Sequence, residues 1–406
     1  MRHERTQWNI GQGGFHTASV LSSTRDSDPL FRYVYDCGSL SSGHPDAAIA
    51  EYVTSAGSAK NVDAIFLSHI DADHVNGLPR LLDTHGVEAE FIFLPLLSPA
   101  QRLLAASQGE EKVSDFMVNI AADPSSALRE FTSANVVQIQ PGEGPSDAGD
   151  GRELQRIGGD DGEPRASIVG KTGDWIPDGN SNYRLKDDAG IRVETGSGEP
   201  HWLLSFYLER EALDKSDAFL KLLARRLGED PITWPDQIDQ ATVRSLLTDT
   251  PSLKVLRKVY ADVGVDVNRG SFMLLSGPSW GTPCENIRLG TMTAHLGTAT
   301  WLLTGDAKLD TEAAVVSMRE HLGPRIQQTG VIALPHHGSG VNFHSSILDV
   351  GDSVHLAFAA AGESHRHWAH PHPSVIKSVT SAGVTPWVVT EGLNSKLVAE
   401  ARVHGR

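Results

Sequence analysis

The segment "FLSHIDADHVNGL", residues 66 to 78, constrains this chain more than any other stretch. An apolar run that reads as a buried strand, "NVDAIFLSHI", delivers His69, Asp71, Asp73 and His74 to the point where the chain turns at Asn76 and Gly77. Acceptor groups packed into one small volume repel each other and are costly to desolvate unless a cation sits among them. In an extended or turning backbone, residues two apart share a face, so His69, Asp71 and Asp73 point together and the turn brings His74 round. Mixed nitrogen and carboxylate ligands suit zinc, manganese or iron(II). The competing reading is a helix N-cap at Asp71 or Asp73 beside two buried histidines, which accounts for one aspartate better than for the whole cluster.

Other polar clusters also fall just past apolar strands, where α/β proteins gather their sites. "TATWLLTGDA" ends in Asp306, and "GVIALPHHGS" ends in His336 and His337. "RYVYDCGS", "VHLAFAAAG" and "PWVVT" read as further strands, the last of them closing the fold, and "PDAAIAEYVTSAG" and "LDTEAAVVSMREHLG" read as covering helices. The middle differs. "PGEGPSDAGDGRELQRIGGDDGEPRASIVGKTGDWIPDGNSNYRLKDDAG" is rich in Gly, Asp and Pro and reads as an extended loop. "LEREALDKSDAFLKLLARRLG", "DQATVRSLLTD" and "PSLKVLRKVYADVG" then form a helical group at roughly 205–265, an inserted subdomain or lid. The expected organisation is one α/β half at 1–100, a loop-rich and helical insertion at 101–265, and a second α/β half at 266–406.

Composition limits the function classes. Only Cys37 and Cys284 are present, which excludes a disulfide framework and a four-cysteine zinc site and fits a reducing compartment. No apolar stretch is long enough to cross a bilayer, and no apolar run follows the first basic residues. A cytoplasmic protein with no membrane partner is expected. The formal net charge of -16 argues against a broad basic surface, so a polyanionic substrate would be held by metal ions and a local groove.

"SHIDADHVNGL" resembles the metal-binding motif of the metallo-β-lactamase superfamily, in the HxDxDH form of the hydrolase domain of the ComEC family of DNA-uptake proteins. In order, "NIGQGG", "VYDCGS", "NRGSFMLL", "WLLTGDA", "ALPHHGS" and "HPHPSV" are similar to further segments of that family. Asn9 and Gly14 stand where its opening motif carries two aspartates. The matches cover roughly residues 8 to 97 and 266 to 392 and leave 100 to 265 untouched.

The resemblance implies a four-layer αβ/βα sandwich and two divalent ions, zinc or manganese. Asp306 would bridge them, with His69 and Asp71 on one ion, Asp73 and His74 on the other, and His336 or His337 completing the second. A metal pair lowers the pKa of water and neutralises charge that develops in hydrolysis. Asp73, His336, His370 and His372 are the candidate catalytic residues, the last two for hydrogen bonding an oxyanion or protonating a leaving oxygen. Asp36 would orient the metal-binding turn, and Ser339 would bond a phosphate or a ligand histidine. His201 and His295 remain by elimination for a third histidine motif, while His365 and His367 are read as loop residues. Three functions compete: a phosphodiesterase or nuclease acting on nucleic acid, a hydrolase of a small ester, lactone or nucleotide, and a non-catalytic scaffold binding a protein partner through the 205–265 helices.

Overall fold

The computed structural model describes residues 1–22, 29–41, 43–57, 60–107, 113–158, 165–179, 181–194, 201–208, 214–263, 270–279, 284–289, 292–294, 298–352, 354–363 and 370–403. Two large sheets face each other. The first runs in spatial order Met292–Ala294, Cys284–Leu289, Leu397–Val403, Arg2–Gln7, Gly13–Leu21, Phe31–Ser39, Val62–Phe66, Ala89–Pro95, Asn135–Gln140, Asn182–Lys186 and Trp175–Pro177. The second runs Thr385–Val389, Leu356–Ala360, Thr329–Ala333, Thr300–Leu303, Phe272–Pro278, Trp202–Leu208, Gly190–Val193, Ala166–Gly170 and Arg152–Ile157.

Each sheet has a core on both faces, which is why its central strands are apolar without alternation. Between the sheets, Tyr33, Phe66, Phe93, Trp202, Phe206, Phe272 and Trp301 pack into one cluster. Outside the first sheet, helix His44–Ala56 and the segment around Leu78–Leu82 cover a second core. Outside the second sheet, helices Glu312–Leu322 and Pro373–Ser381 cover a third. This is the αβ/βα sandwich expected from the resemblance.

Three expectations need correction. The stretch read as a long loop contains strands Arg152–Ile157, Ala166–Gly170, Trp175–Pro177, Asn182–Lys186 and Gly190–Val193, so residues 101–265 contribute to both sheets. These strands are short and lie toward the sheet margins, so few apolar side chains mark them. The helical group starts later than expected, because Trp202–Leu208 is a fully buried strand of the second sheet and the helix begins at Asp214. It is also larger: Leu103, Leu104 and Val118 from helices Pro99–Ser107 and Asp115–Ala122 share a core with Phe219, Leu223, Val243 and Leu256. Finally, "PWVVT" is not the last strand. Leu397–Val403 follows it, antiparallel to Arg2–Gln7, with an alternating pattern of burial. No helix among the described residues is long and apolar enough to cross a membrane.

Candidate metal centre

Three chain segments meet where the sheet strands end. Strand Val62–Phe66 runs into Ser68 and His69 and then into a single helical turn, Ala72–Val75. Asp71 occupies the N-cap position of that turn but makes no side-chain cap bond, so the helix-cap reading fails and its carboxylate is free for other partners. Asn76 ties the turn down by accepting the Ser39 N–H at 3.0 Å and donating to the Ser39 carbonyl at 2.7 Å. Strand Thr300–Leu303 leads through Gly305 to Asp306, and strand Thr329–Ala333 leads to His336 and His337. The His336 N–H donates to the Gly305 carbonyl at 3.0 Å, which joins the last two segments.

Asp306 lies at the middle. Its Oδ2 is 3.7 Å from His69 Nε2 and 3.5 Å from His336 Nε2. Its Oδ1 is 3.3 Å from His74 Nε2 and 3.4 Å from His337 Nε2. Asp71 Oδ2 adds to the first side at 3.7 Å from His69 Nε2. Asp73 Oδ2 adds to the second, 3.3 Å from His337 Nε2 and 3.9 Å from His74 Nε2. The ligand atoms of His69, His74 and Asp306 lie within 4.8 Å of one another, as do those of Asp73, His74 and His337. Nε2 of His69, His74 and His337 and Oδ1 of Asp306 are buried without a hydrogen-bond partner. Inward-facing imidazole nitrogens and carboxylate oxygens, close together yet not bonded to each other, fit a divalent cation. A cavity of about 50 Å³ lies against His74, Asp306 and His337.

Burial disfavours charge on every member, and the neighbours decide the outcome. Burial and then His74 push His69 down to about 4. Burial, then Asp73 and Asp306, hold the Asp71 carboxyl well above its ordinary range. For Asp73 burial is outweighed by His74 and His337, which bring it to about 2. Burial is likewise overcome at His74 and His337, raised chiefly by Asp306, and at Asp306, lowered chiefly by His337 and His336. Protons therefore stand in for positive charge, and a metal ion would displace them.

Asp36 lies against the turn that carries His69 to His74. Its carboxylate accepts the Ser68 N–H at 2.6 Å, the Ser68 hydroxyl at 2.8 Å and contacts His74 Nδ1 at 2.9 Å. Ser68 escaped the sequence reading. The signal for Ser68 was a hydroxyl directly before the first histidine. Gly14 lies where a Cβ would come within 2.6 Å of Asp36 Cβ and 3.0 Å of His74 Nδ1, so a side chain there has no room unless Asp36 moves.

The outer candidates divide. His370 is partly buried with Nδ1 unpartnered, and its ring centroid is 5.5 Å from that of His336. Burial, then His337 and His336, lower its pKa to about 4. His372 is exposed, and its Nδ1 accepts the Ser374 N–H at 3.2 Å as the N-cap of helix Pro373–Ser381. Ser339 is buried, and it closes the turn through its backbone, donating its N–H to the His336 carbonyl at 2.8 Å. His201 is corrected: it sits 3.2 Å from Glu194, at the end of Trp202–Leu208 opposite Leu208, about 20 Å from the end that approaches Ser68. His295, His365 and His367 lie outside the described residues.

A comparison with curated proteins finds no match. The family model described as Metallo-beta-lactamase superfamily matches residues 32–90, the stretch that carries Asp36, Ser68 and the cluster from His69 to His74.

Proposed function

We propose that this protein is a metal-dependent hydrolase that holds two divalent ions, zinc or manganese, and cleaves a phosphodiester, as a nuclease does. The observation that carries the reading is the division of Asp306, whose Oδ2 faces His69 and His336 while Oδ1 faces His74 and His337. Asp306 would then serve both ions, with Asp71 on the His69 side and Asp73 on the His74 side. His336 and His337 would serve different ions, where the sequence alone left them as alternatives for one. Each ion would have two imidazoles within reach, which removes the shortage of nitrogen ligands that a site built from His69, Asp71 and Asp306 would have. Ions held there supply Lewis acidity and a water that loses its proton near neutral pH, and a paired arrangement suits in-line displacement at phosphorus. His370, beside His336, donates a ring N–H to a substrate oxygen.

A small, uncharged ester or lactone is the second reading. No Lys or Arg that would hold a polyanion is among the described residues lining the cavity against the cluster, and Leu303, Ala333, Leu334 and Phe358 are. The deciding experiment loads the protein with manganese or zinc and measures cleavage of single-stranded and duplex DNA, RNA, an aryl phosphodiester and an aryl ester, with and without chelator. Asp73→Ala and His74→Ala should each abolish turnover while circular dichroism stays unchanged. Unaltered turnover in both variants, or in chelator, refutes the mechanism; cleavage of the ester alone selects the second reading.

A further inference from the structure

Building on the two-ion reading, we propose that Ser68 is a positioning residue that carries the influence of Asp36 to His69, so that one carboxylate sets the orientation and tautomer of two candidate ligand imidazoles. Asp36 reaches His74 directly, its Oδ2 lying 2.9 Å from Nδ1. It cannot reach His69 in the same way. The Ser68 hydroxyl stands between them, 2.8 Å from Asp36 Oδ2 and 2.8 Å from His69 Nδ1.

The proton positions follow from the inventory of donors and acceptors. An ionised carboxylate only accepts, so the single Ser68 hydroxyl proton points to Asp36 Oδ2. The hydroxyl oxygen then turns a lone pair toward His69, whose Nδ1 must carry the proton. His74 Nδ1 carries one for the same reason, facing Oδ2 directly. Once an ion displaces any second ring proton, both rings would present a lone pair on Nε2, the atom that points at Asp306 in each case. Ser68 is fully buried and Asp36, His69 and His74 are nearly so, which leaves water little access to replace the hydroxyl.

The surrounding packing holds this relay in place. The Ser68 carbonyl accepts the Phe272 N–H at 2.7 Å. A Cβ on Gly305 would lie 2.6 Å from Ser68 Cβ and 2.8 Å from its Oγ, so the residue before Asp306 must be small for Ser68 to sit there. A serine that merely satisfied Asp36 would need no second partner; this one has His69 on its other side.

The test titrates ion-free protein with Mn²⁺ or Zn²⁺ by calorimetry, for the wild type, Ser68→Ala, Asp36→Asn and the double variant, with thermal melting of each ion-free form alongside. The wild type should take up two equivalents. Ser68→Ala should weaken one equivalent by about 10–100-fold and leave the other within about twofold. Asp36→Asn, which keeps the shape of the side chain, should weaken both, and adding Ser68→Ala to it should cost little more at the first ion. Two unchanged equivalents in Ser68→Ala, equal weakening of both, or full additivity in the double variant overturns the relay while leaving the two-ion reading intact. A wild type that takes up no ion overturns that reading and the relay with it.

Discussion

Replacing Gly14 by alanine adds a single carbon at the place where strand Gly13–Leu21 packs against Asp36 and His74. Its φ lies outside the left-handed region, so alanine meets no backbone penalty and the effect is steric. The new Cβ would stand 2.6 Å from Asp36 Cβ and 3.0 Å from both Asp36 Oδ2 and His74 Nδ1. Ordinary carbon contacts are roughly 3.5–4.0 Å, so Asp36 must retreat by about 1 Å. Overpacking of this kind costs about 1–3 kcal/mol. Spread over 406 residues that is a melting shift of only about 1–3 °C, too small to decide the matter alone. Ion affinity decides it. The same movement opens the 2.9 Å contact between Asp36 and His74 and drags the Ser68 hydroxyl with it, and losing such support weakens ion binding by about 10–100-fold. Gly43→Ala is the control, because Gly43 has φ 82 and nothing within 4 Å of its missing Cβ. It should cost about 1 kcal/mol through its backbone and leave ion affinity unchanged. Calorimetric titration with Mn²⁺ and scanning calorimetry on the two variants supply both readouts. Gly14→Ala with wild-type ion affinity would show that the contact between strand and turn does not govern the site.

Two further outcomes are expected. Burial and then Arg5 push His3 and His16 well below 6.5, so the folded state keeps them neutral while the unfolded chain protonates them. Their stability contribution is complete above pH 6.5 and is lost as pH falls beneath it; His16→Phe should lessen the fall in urea-unfolding stability between pH 6 and 5 by about 1 kcal/mol per pH unit, and an unchanged slope would contradict the buried neutral ring. At the rim, His372→Ala should cost about 1 kcal/mol of helix capping with turnover within about twofold, whereas His370→Ala should lower kcat about 100-fold. Equal losses from both would return His372 to the catalytic set.

The site was legible in the sequence because its residues announce themselves locally. His69 to His74, Asp306 and His336–His337 each follow a buried apolar strand, and ionisable groups gathered at such a strand end are costly to desolvate without a cation among them. The strands between 152 and 193 were not legible for the converse reason. Arg152–Ile157 is largely exposed, and nearby turns bury Asp174, Asp187 and Asp188, so polarity there marks internal hydrogen bonds and not a loop. Asp187 accepts N–H groups from Gly142 and Leu208, binding a turn to a central strand through a residue type that reads as surface. Ser68 was hidden differently. Its role depends on Asp36, thirty-two positions earlier, and no local pattern contains that distance.

The geometry of His336 and His337 supplies the remaining connection between sequence and chemistry. Neighbouring residues on a regular strand point to opposite faces of a sheet, and on a helix they diverge by about 100°. Neither arrangement brings two adjacent imidazoles to the two oxygens of one carboxylate. Here both residues take left-handed backbone, φ 47 and φ 55, a conformation that costs non-glycine residues roughly 1–2 kcal/mol each. Gly338 follows with φ 80, and a Cβ there would lie 2.6 Å from Pro371 Cβ. The turn is therefore pinned on one side by the His370–Pro371 segment and on the other by the His336 N–H on Gly305. Strain of this kind persists only where surrounding structure over-determines it, and it clusters at functional sites. The twist places His336 Nε2 3.5 Å from one oxygen of Asp306 and His337 Nε2 3.4 Å from the other. A pair of histidines merely buried at a strand end would have no need of it; a pair set to face the two oxygens of Asp306, as the proposed two-ion site requires, does.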